Sequence, residues 1–324
     1  MVEDFKKILI VGAGTMGHGM AQIFAQGGYE VAMFSRTQKT LDKASALITS
    51  SLDTMAEAGV LDEGQIPEII GRIRPITSLE EAAQGVDLAI ESVLEDTEEK
   101  KKIFGQLDAC CPPQALLASN TSFLNIFEFL KTSRPDKILI THWYAPPQLI
   151  PLVDVVGGPQ TDKANVEAVA RVLRKIGKRP MVLKKFIAGY AINRLQHVMT
   201  REVNYLIDND YVTPDQLDQG VKDCLALRMA VLGIFCRYDF GGLPTRTIHP
   251  PGYEDAPLDY QPVKLHALAK KGHLGIKTGR GFYDYKSKRE TELCRERDIR
   301  LIQTLKLLDS LEAQGPIGEV PKDG

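Results

Sequence analysis

The sequence predicts an α/β fold, a mostly parallel sheet with helices on both faces, followed by an all-helical C-terminal part. Three observations carry this. Short apolar runs alternate with helical periodicity up to about residue 185. The first run ends in Gly12-Ala13-Gly14-Thr15-Met16-Gly17, a glycine-rich passage from strand to helix. After Lys185 the periodicity is helical and no convincing strand remains. A boundary near residue 186 follows, giving domains at 1–186 and 187–324.

The elements follow in order. Lys6 to Val11 is a continuous apolar run, as expected of a strand covered on both faces. A helix from His18 to Gln26 closes at Gly27-Gly28, and Tyr29 to Phe34 is the second strand. Gln38 to Gly59 reads as a long helix and Leu61 to Ile70 as another. Ile73 to Ile76 and Val86 to Ile90 are strands. Thr97 to Cys110 is a helix with acids first and lysines next, which suits its dipole. Ala115 to Ser119, Lys137 to His142 and Leu152 to Val156 are further strands. Thr161 is the expected cap of a helix reaching Gly177, and Pro180 to Leu183 is the last strand. Helices are then expected over 189–208, 213–222, 225–234 and 263–271, with an irregular loop at Gly241 to Tyr260. Leu301, Ile302, Leu305, Leu308 and Leu311 form one stripe on a final helix, a face that needs a packing partner such as a second subunit. The tail from Gly315 is expected to fray.

Composition narrows the function classes. Apolar residues make up 44% of the 324 and charged residues 25%, with a formal net charge of −2. That balance gives no electrostatic case for nucleic acid or a membrane surface. No apolar run reaches the ~20 residues of a membrane span, and the N-terminus leads straight into a strand. Five cysteines, Cys110, Cys111, Cys224, Cys236 and Cys294, lack metal-ligand spacing, so free thiols in a reducing cytoplasm are expected. Cys110-Cys111 falls in a loop-like stretch. His18, His197, His249, His266 and His273 have no acid at a telling spacing, and no metal site is expected.

The glycine motif gains weight from its place between strand and helix, the context of a Rossmann-like dinucleotide site. Gly12 permits the tight turn, Gly14 a close approach of backbone to pyrophosphate, and Gly17 close packing of helix on strand. The helix start then faces the phosphates, with Thr15 and Met16 in the loop. A carboxylate at the end of the second strand normally holds the ribose hydroxyls of NAD. Here Phe34 is followed by Ser35-Arg36-Thr37. Ser35 can donate to a 2′-phosphate and Arg36 can pair with it, so NADP(H) is expected to be favoured over NAD(H). The plainer reading is Thr37 as a helix cap and Arg36 as a solvated charge.

Further segments occur in a fixed order: Asp87 to Val93, Ser119-Asn120-Thr121-Ser122, His142 with Asp154 twelve residues later, and Gly275 to Tyr285. In these segments, over roughly residues 5–285, the chain resembles the L-3-hydroxyacyl-CoA dehydrogenase family and its lambda-crystallin-like relatives. The resemblance implies a nicotinamide-dependent oxidoreductase that interconverts 3-hydroxy and 3-oxo groups and dimerises through its helical domain. It gives His142 the acid–base role, for which an unperturbed imidazole is well placed near neutral pH. Asp154 would orient that ring. Ser122 and Asn193 would be neutral donors to substrate oxygen. Glu91, Lys100 and Asn120 fall at cofactor-side positions. The alternative roles are structural: a core histidine, a strand-end acid, and caps at Ser122 and Asn193.

Two departures from the family pattern bear on substrate. Asp154 stands where the family has glutamate, so either its strand lies closer to His142 or the pair is weaker. Ala145 replaces the asparagine usual three residues after the histidine. Both put a CoA thioester in question more than hydride transfer. A small CoA-free β-hydroxy acid or related carbonyl is the alternative substrate, and a non-catalytic dinucleotide-binding protein the third reading.

Overall fold

The computed structural model describes residues 5–234, 260–285 and 287–313. Cys236, His249, the expected loop up to residue 259 and the tail from Gly315 lie outside them. A first compact unit ends at Ile192 and a second begins at Asn193.

The first unit is built on eight strands: β1 Lys7–Val11, β2 Glu30–Phe34, β3 Ile73–Ile76, β4 Leu88–Glu91, β5 Leu116–Ser119, β6 Ile138–Trp143, β7 Leu152–Gly157 and β8 Arg179–Leu183. They form one sheet in the order β3-β2-β1-β4-β5-β6-β7-β8. All neighbours are parallel except β6 and β7. Order reverses between β1 and β4, and the carboxyl ends of these strands flank the crevice where such sheets bind ligands.

Helices cover both faces, as the alternating pattern predicts. Alternate residues of β1 show why: Ile8 and Ile10 join one core and Leu9 and Val11 the other, all fully buried. Helices α1 (Gly17–Gln26), α2 (Gln38–Glu57), α3 (Ile66–Gly71) and α7 (Lys163–Lys175) supply the first core with Met20, Phe24, Leu41, Ile69 and Val169. The short α4 (Leu79–Ala82) and α5 (Thr97–Cys110) supply Leu79, Phe104 and Leu107 to the second. Every residue of β4, β5 and β6 is buried, which is why those strands are mostly apolar, with polar residues only toward their carboxyl ends.

Some local expectations are corrected. Thr161 does not cap α7: its hydroxyl donates to the Ile138 carbonyl and accepts from Gly158 N–H, fastening the turn to β6. Asp162 takes the cap, accepting from Ala164 N–H at 2.9 Å. The helix expected at 61–70 starts late, because Asp62 opens a 3₁₀ turn at Glu63–Gln65 before α3. Cys110 ends α5 and is not in a loop. Ser122 caps nothing: the following helix, α6 (Ile126–Phe129), has Asn125 before it and no side-chain cap.

The second unit is helical among its described residues. Helix α8 runs Tyr190–Asp208 across the junction. The two helices expected at 213–234 form one rod. It comprises α9 (Pro214–Gly220), a π turn (Val221–Ala226) and α10 (Leu227–Leu232), and it opens with a Thr213/Gln216 capping box. The π turn absorbs the break in periodicity at 223–224 without ending the helix. Helix α11 (Val263–Lys270) starts on Asp208, whose carboxylate accepts from the N–H groups of Val263 and Lys264. On α12 (Glu290–Glu312) Ile302 is buried and Leu301, Leu305 and Leu308 are half-buried; the Leu311 side chain lies outside the described residues. No helix is long and apolar enough to cross a membrane, and no cluster of metal-binding side chains occurs, among the described residues.

Candidate active site

The glycine turn between β1 and α1 has three glycines with three different surroundings. Gly12 has φ +106°, and a Cβ there would lie 2.5 Å from the Ser92 carbonyl oxygen. A Cβ on Gly17 would lie 1.7 Å from the Gly12 carbonyl oxygen, so helix and turn touch through bare backbone. Around a Cβ at Gly14 there is nothing within 4 Å among the described residues, which leaves this backbone open to a ligand. Helix α1 begins without a side-chain cap, so its first N–H groups suit a phosphate.

The turn opens on a cleft of about 850 Å³. Gly12 to Met16, Ser35, Arg36, Asn120 and Ser122 line it, together with Ser92 to Glu95. Thr37 does cap α2, accepting from Thr40 N–H, and the Arg36 side chain is 75% exposed with Glu99 at 3.8 Å. The cradle and the uncapped helix fit a dinucleotide, and no carboxylate follows Phe34 directly.

Glu91 and Lys100 do not line this cleft. They form a buried ion pair beneath it, with Lys100 Nζ 2.8 and 2.9 Å from the two carboxylate oxygens. Ser119 Oγ and the Val93 N–H also donate to Glu91, so the buried charge is fully partnered. Asn120 fixes the neighbouring strand ends: its Oδ1 accepts from Trp143 N–H and its Nδ2 donates to Ser92 Oγ.

His142 and Asp154 meet through strand pairing. They are direct partners in the antiparallel register of β6 and β7, and such partners carry their side chains on one face. His142 Nδ1 lies 3.1 Å from Asp154 Oδ2. The carboxylate only accepts, so Nδ1 carries the proton and Nε2 is left as the acceptor. Ser122 Oγ sits 3.4 Å from Nε2, at the long edge of hydrogen bonding. The shorter aspartate therefore reaches the ring, because a cross-strand partner needs no longer side chain. His142 is 4% exposed and Asp154 is fully buried.

Three side chains that the motifs did not single out complete the arrangement. Tyr144 donates its hydroxyl to Asp154 Oδ2 at 2.7 Å. Tyr190, fully buried and held at φ +49°, stacks on the imidazole at 4.7 Å and donates to the Thr121 carbonyl. Glu95 accepts from the Thr121 hydroxyl and from the Ser122 and Phe123 N–H groups, so it sets the turn that presents Ser122. Burial opposes the charge on Glu95, yet these donors and Lys100 outweigh it and hold its carboxyl below the usual range. Position alone was a signal for Glu95, since it follows β4 at the crevice. Asn193 lies in the first turn of α8, half-buried, as the first residue of the second unit.

Comparison with known proteins shows the family. Residues 7–186 match the 3-hydroxyacyl-CoA dehydrogenase NAD binding domain, and residues 189–285 the 3-hydroxyacyl-CoA dehydrogenase C-terminal domain. The chain belongs to the 3-hydroxyacyl-CoA dehydrogenase family. With that membership it is a nicotinamide-dependent oxidoreductase. A probable 3-hydroxybutyryl-CoA dehydrogenase of Bacillus subtilis is 33% identical over 292 residues, 88% of this chain and 99% of the relative. A 5-formyl-3-hydroxy-2-methylpyridine 4-carboxylate 5-dehydrogenase of Mesorhizobium japonicum is 28% identical over 95% of this chain and 99% of its own. A crystal structure of an enzyme of that activity, described as an NAD+ dependent dismutase, superposes with a TM-score of 0.84. It is 26% identical and covers 94% of this chain and 99% of the other.

Proposed function

We propose that this chain interconverts a hydroxyl and a carbonyl group β to a carboxyl-derived group, as a 3-hydroxyacyl-CoA dehydrogenase does, with His142 as acid–base and Asp154 as its orienting carboxylate. The observation that carries this reading is the register pairing of His142 with Asp154, which leaves Nε2 beside Ser122 at the edge of the dinucleotide cleft. A bound nicotinamide supplies the hydride acceptor or donor. In oxidation, His142 Nε2 takes the hydroxyl proton, and in reduction it returns that proton to the forming alkoxide. Asp154 holds the tautomer and stabilises the imidazolium that results. Ser122 donates to the substrate oxygen, and Glu91 with Lys100 supports the cofactor end of the cleft from below.

Ser35 and Arg36 support a preference for NADP(H): the exposed guanidinium lies in the cleft wall where an NAD enzyme normally carries an acid. Equal or faster turnover with NADH would overturn this, and Arg36→Ala should weaken NADPH binding while leaving NADH unchanged. The helical unit is assigned as the dimer interface, supported by Leu195, Val198 and Met199 standing exposed on one side of α8. Free Cys110, Cys111, Cys224 and Cys294 support a cytoplasmic setting.

A second reading keeps the chemistry and removes CoA. The pyridine carboxylate dehydrogenase is matched over more of this chain than the 3-hydroxybutyryl-CoA relative is, and the crystal structure of that activity has a TM-score of 0.84. Rates on acetoacetyl-CoA, free acetoacetate and an aromatic aldehyde carboxylate separate the two readings. A CoA thioester turned over fastest supports the first. No oxidoreduction of any of them with either cofactor would overturn both.

A further inference from the structure

The carboxylate of Asp154 makes all its hydrogen bonds through one oxygen. His142 Nδ1 and the Tyr144 hydroxyl both meet Oδ2, at 3.1 and 2.7 Å, while Oδ1 is buried with no partner among the described residues. Tyr144 follows His142 by two residues, and its ring meets the imidazole edge-on at 4.7 Å. Burial, the bond to Asp154 and the negative charge of Asp154 all push the phenol well above its usual range, so it stays a donor at any working pH.

Among the described residues, the other groups facing the imidazole are few. From α8 comes the Tyr190 ring, whose hydroxyl is engaged by the Thr121 carbonyl. From the turn after β5 comes Ser122, with Glu95 behind it fixing that turn. Lys178, before β8, faces the Trp143 ring and the carbonyls of Pro147 and Ile150. Asp154 is thus the anion hydrogen-bonded to the ring, and Tyr144 is its second donor.

We propose that Tyr144 is a positioning residue which acts through Asp154: by donating to Asp154 Oδ2, it limits how strongly the carboxylate's charge favours the protonated ring of His142. This rests on the acid–base reading of His142 and Asp154. A charge-bearing carboxylate that loses one donor acts more strongly on the other. Tyr144→Phe keeps the ring and removes only the hydroxyl. The base then becomes available at higher pH, so the acid limb of kcat/KM for alcohol oxidation should rise by about one pH unit, the size expected for one hydrogen bond to a charged group.

The ring titration of His142, followed by NMR in the protein without substrate, should move the same way. The signal is assigned by its loss in His142→Ala. In an Asp154→Asn background the Tyr144→Phe shift should vanish, because the phenol acts only through that carboxylate. An unmoved ring titration and pH limb in Tyr144→Phe, or a shift that survives Asp154→Asn, would overturn the proposal. Failure of the parent reading looks different: His142→Ala and Asp154→Asn would then retain full turnover whatever Tyr144→Phe does.

Discussion

The two halves of the sheet build their chemistry from opposite materials. Around β1 and β4 the cleft wall is backbone, and it works because side chains are missing: Gly12 and Gly17 have no room for a Cβ, and Gly14 faces open space. Around β6 and β7 the groups proposed to work are side chains, brought together because one antiparallel register sets His142 opposite Asp154. The parallel half suits a pyrophosphate, since N–H groups and a helix end read charge and shape. In the proposed reaction the antiparallel corner acts on that ligand's partner.

The largest test removes the side-chain half alone. His142→Ala should lower turnover by about a hundredfold or more while leaving nucleotide affinity intact. Fluorescence titration with NADPH beside steady-state rates checks both. A variant that loses affinity as well would show that the two halves are not separable. The next test acts on the backbone half. Gly17→Ala places a methyl against the Gly12 carbonyl, where only backbone movement can relieve the clash, so melting temperature and nucleotide affinity should both fall. Gly14→Ala should leave the melting temperature unchanged and weaken only binding. Equal melting temperatures for the two variants would break the distinction drawn between these glycines.

The same contrast explains what could be read from the sequence. The backbone half is legible because its signal is local: a strand, three glycines and a helix in one stretch. The pairing of His142 with Asp154 could be expected from their order and a family resemblance, but not the register that produces it. Twelve residues of separation do not say that β7 turns back antiparallel on β6, and the worry over a shorter acid dissolves only once that register is known. Tyr144 and Tyr190 were illegible for another reason. A tyrosine near a core strand is ordinarily packing, and its hydroxyl partner is set by tertiary approach. Tyr190 needs a left-handed backbone to reach beneath the imidazole, a conformation that no propensity announces for a tyrosine. Glu91 and Lys100 show the converse, since their positions suggested a cofactor contact and the fold seals them in a buried pair.

The smallest expected effect on turnover belongs to a residue that supports the side-chain half from behind. Lys178 is 5% exposed and donates to the carbonyls of Pro147 and Ile150, in the link that returns the chain from β6 to β7. Burial pulls its ammonium down to about 7. An unfolded lysine keeps its proton to about pH 10.4. Between these values the unfolded chain holds a proton that the folded one lacks, so stability contributed at this site rises with pH across that window and is flat below it. Lys178→Met removes the titration. Urea unfolding at pH 7 and pH 9 should show the wild type gaining on the variant by up to ~1.4 kcal/mol per pH unit, with turnover changed only a few-fold. A constant difference would mean that Lys178 stays charged in the folded protein, and that its two carbonyls and the Trp143 ring outweigh its burial. The corner would then be held by a buried cation, and Lys178→Met would cost the same stability at both pH values because the two carbonyls lose their donor in either case.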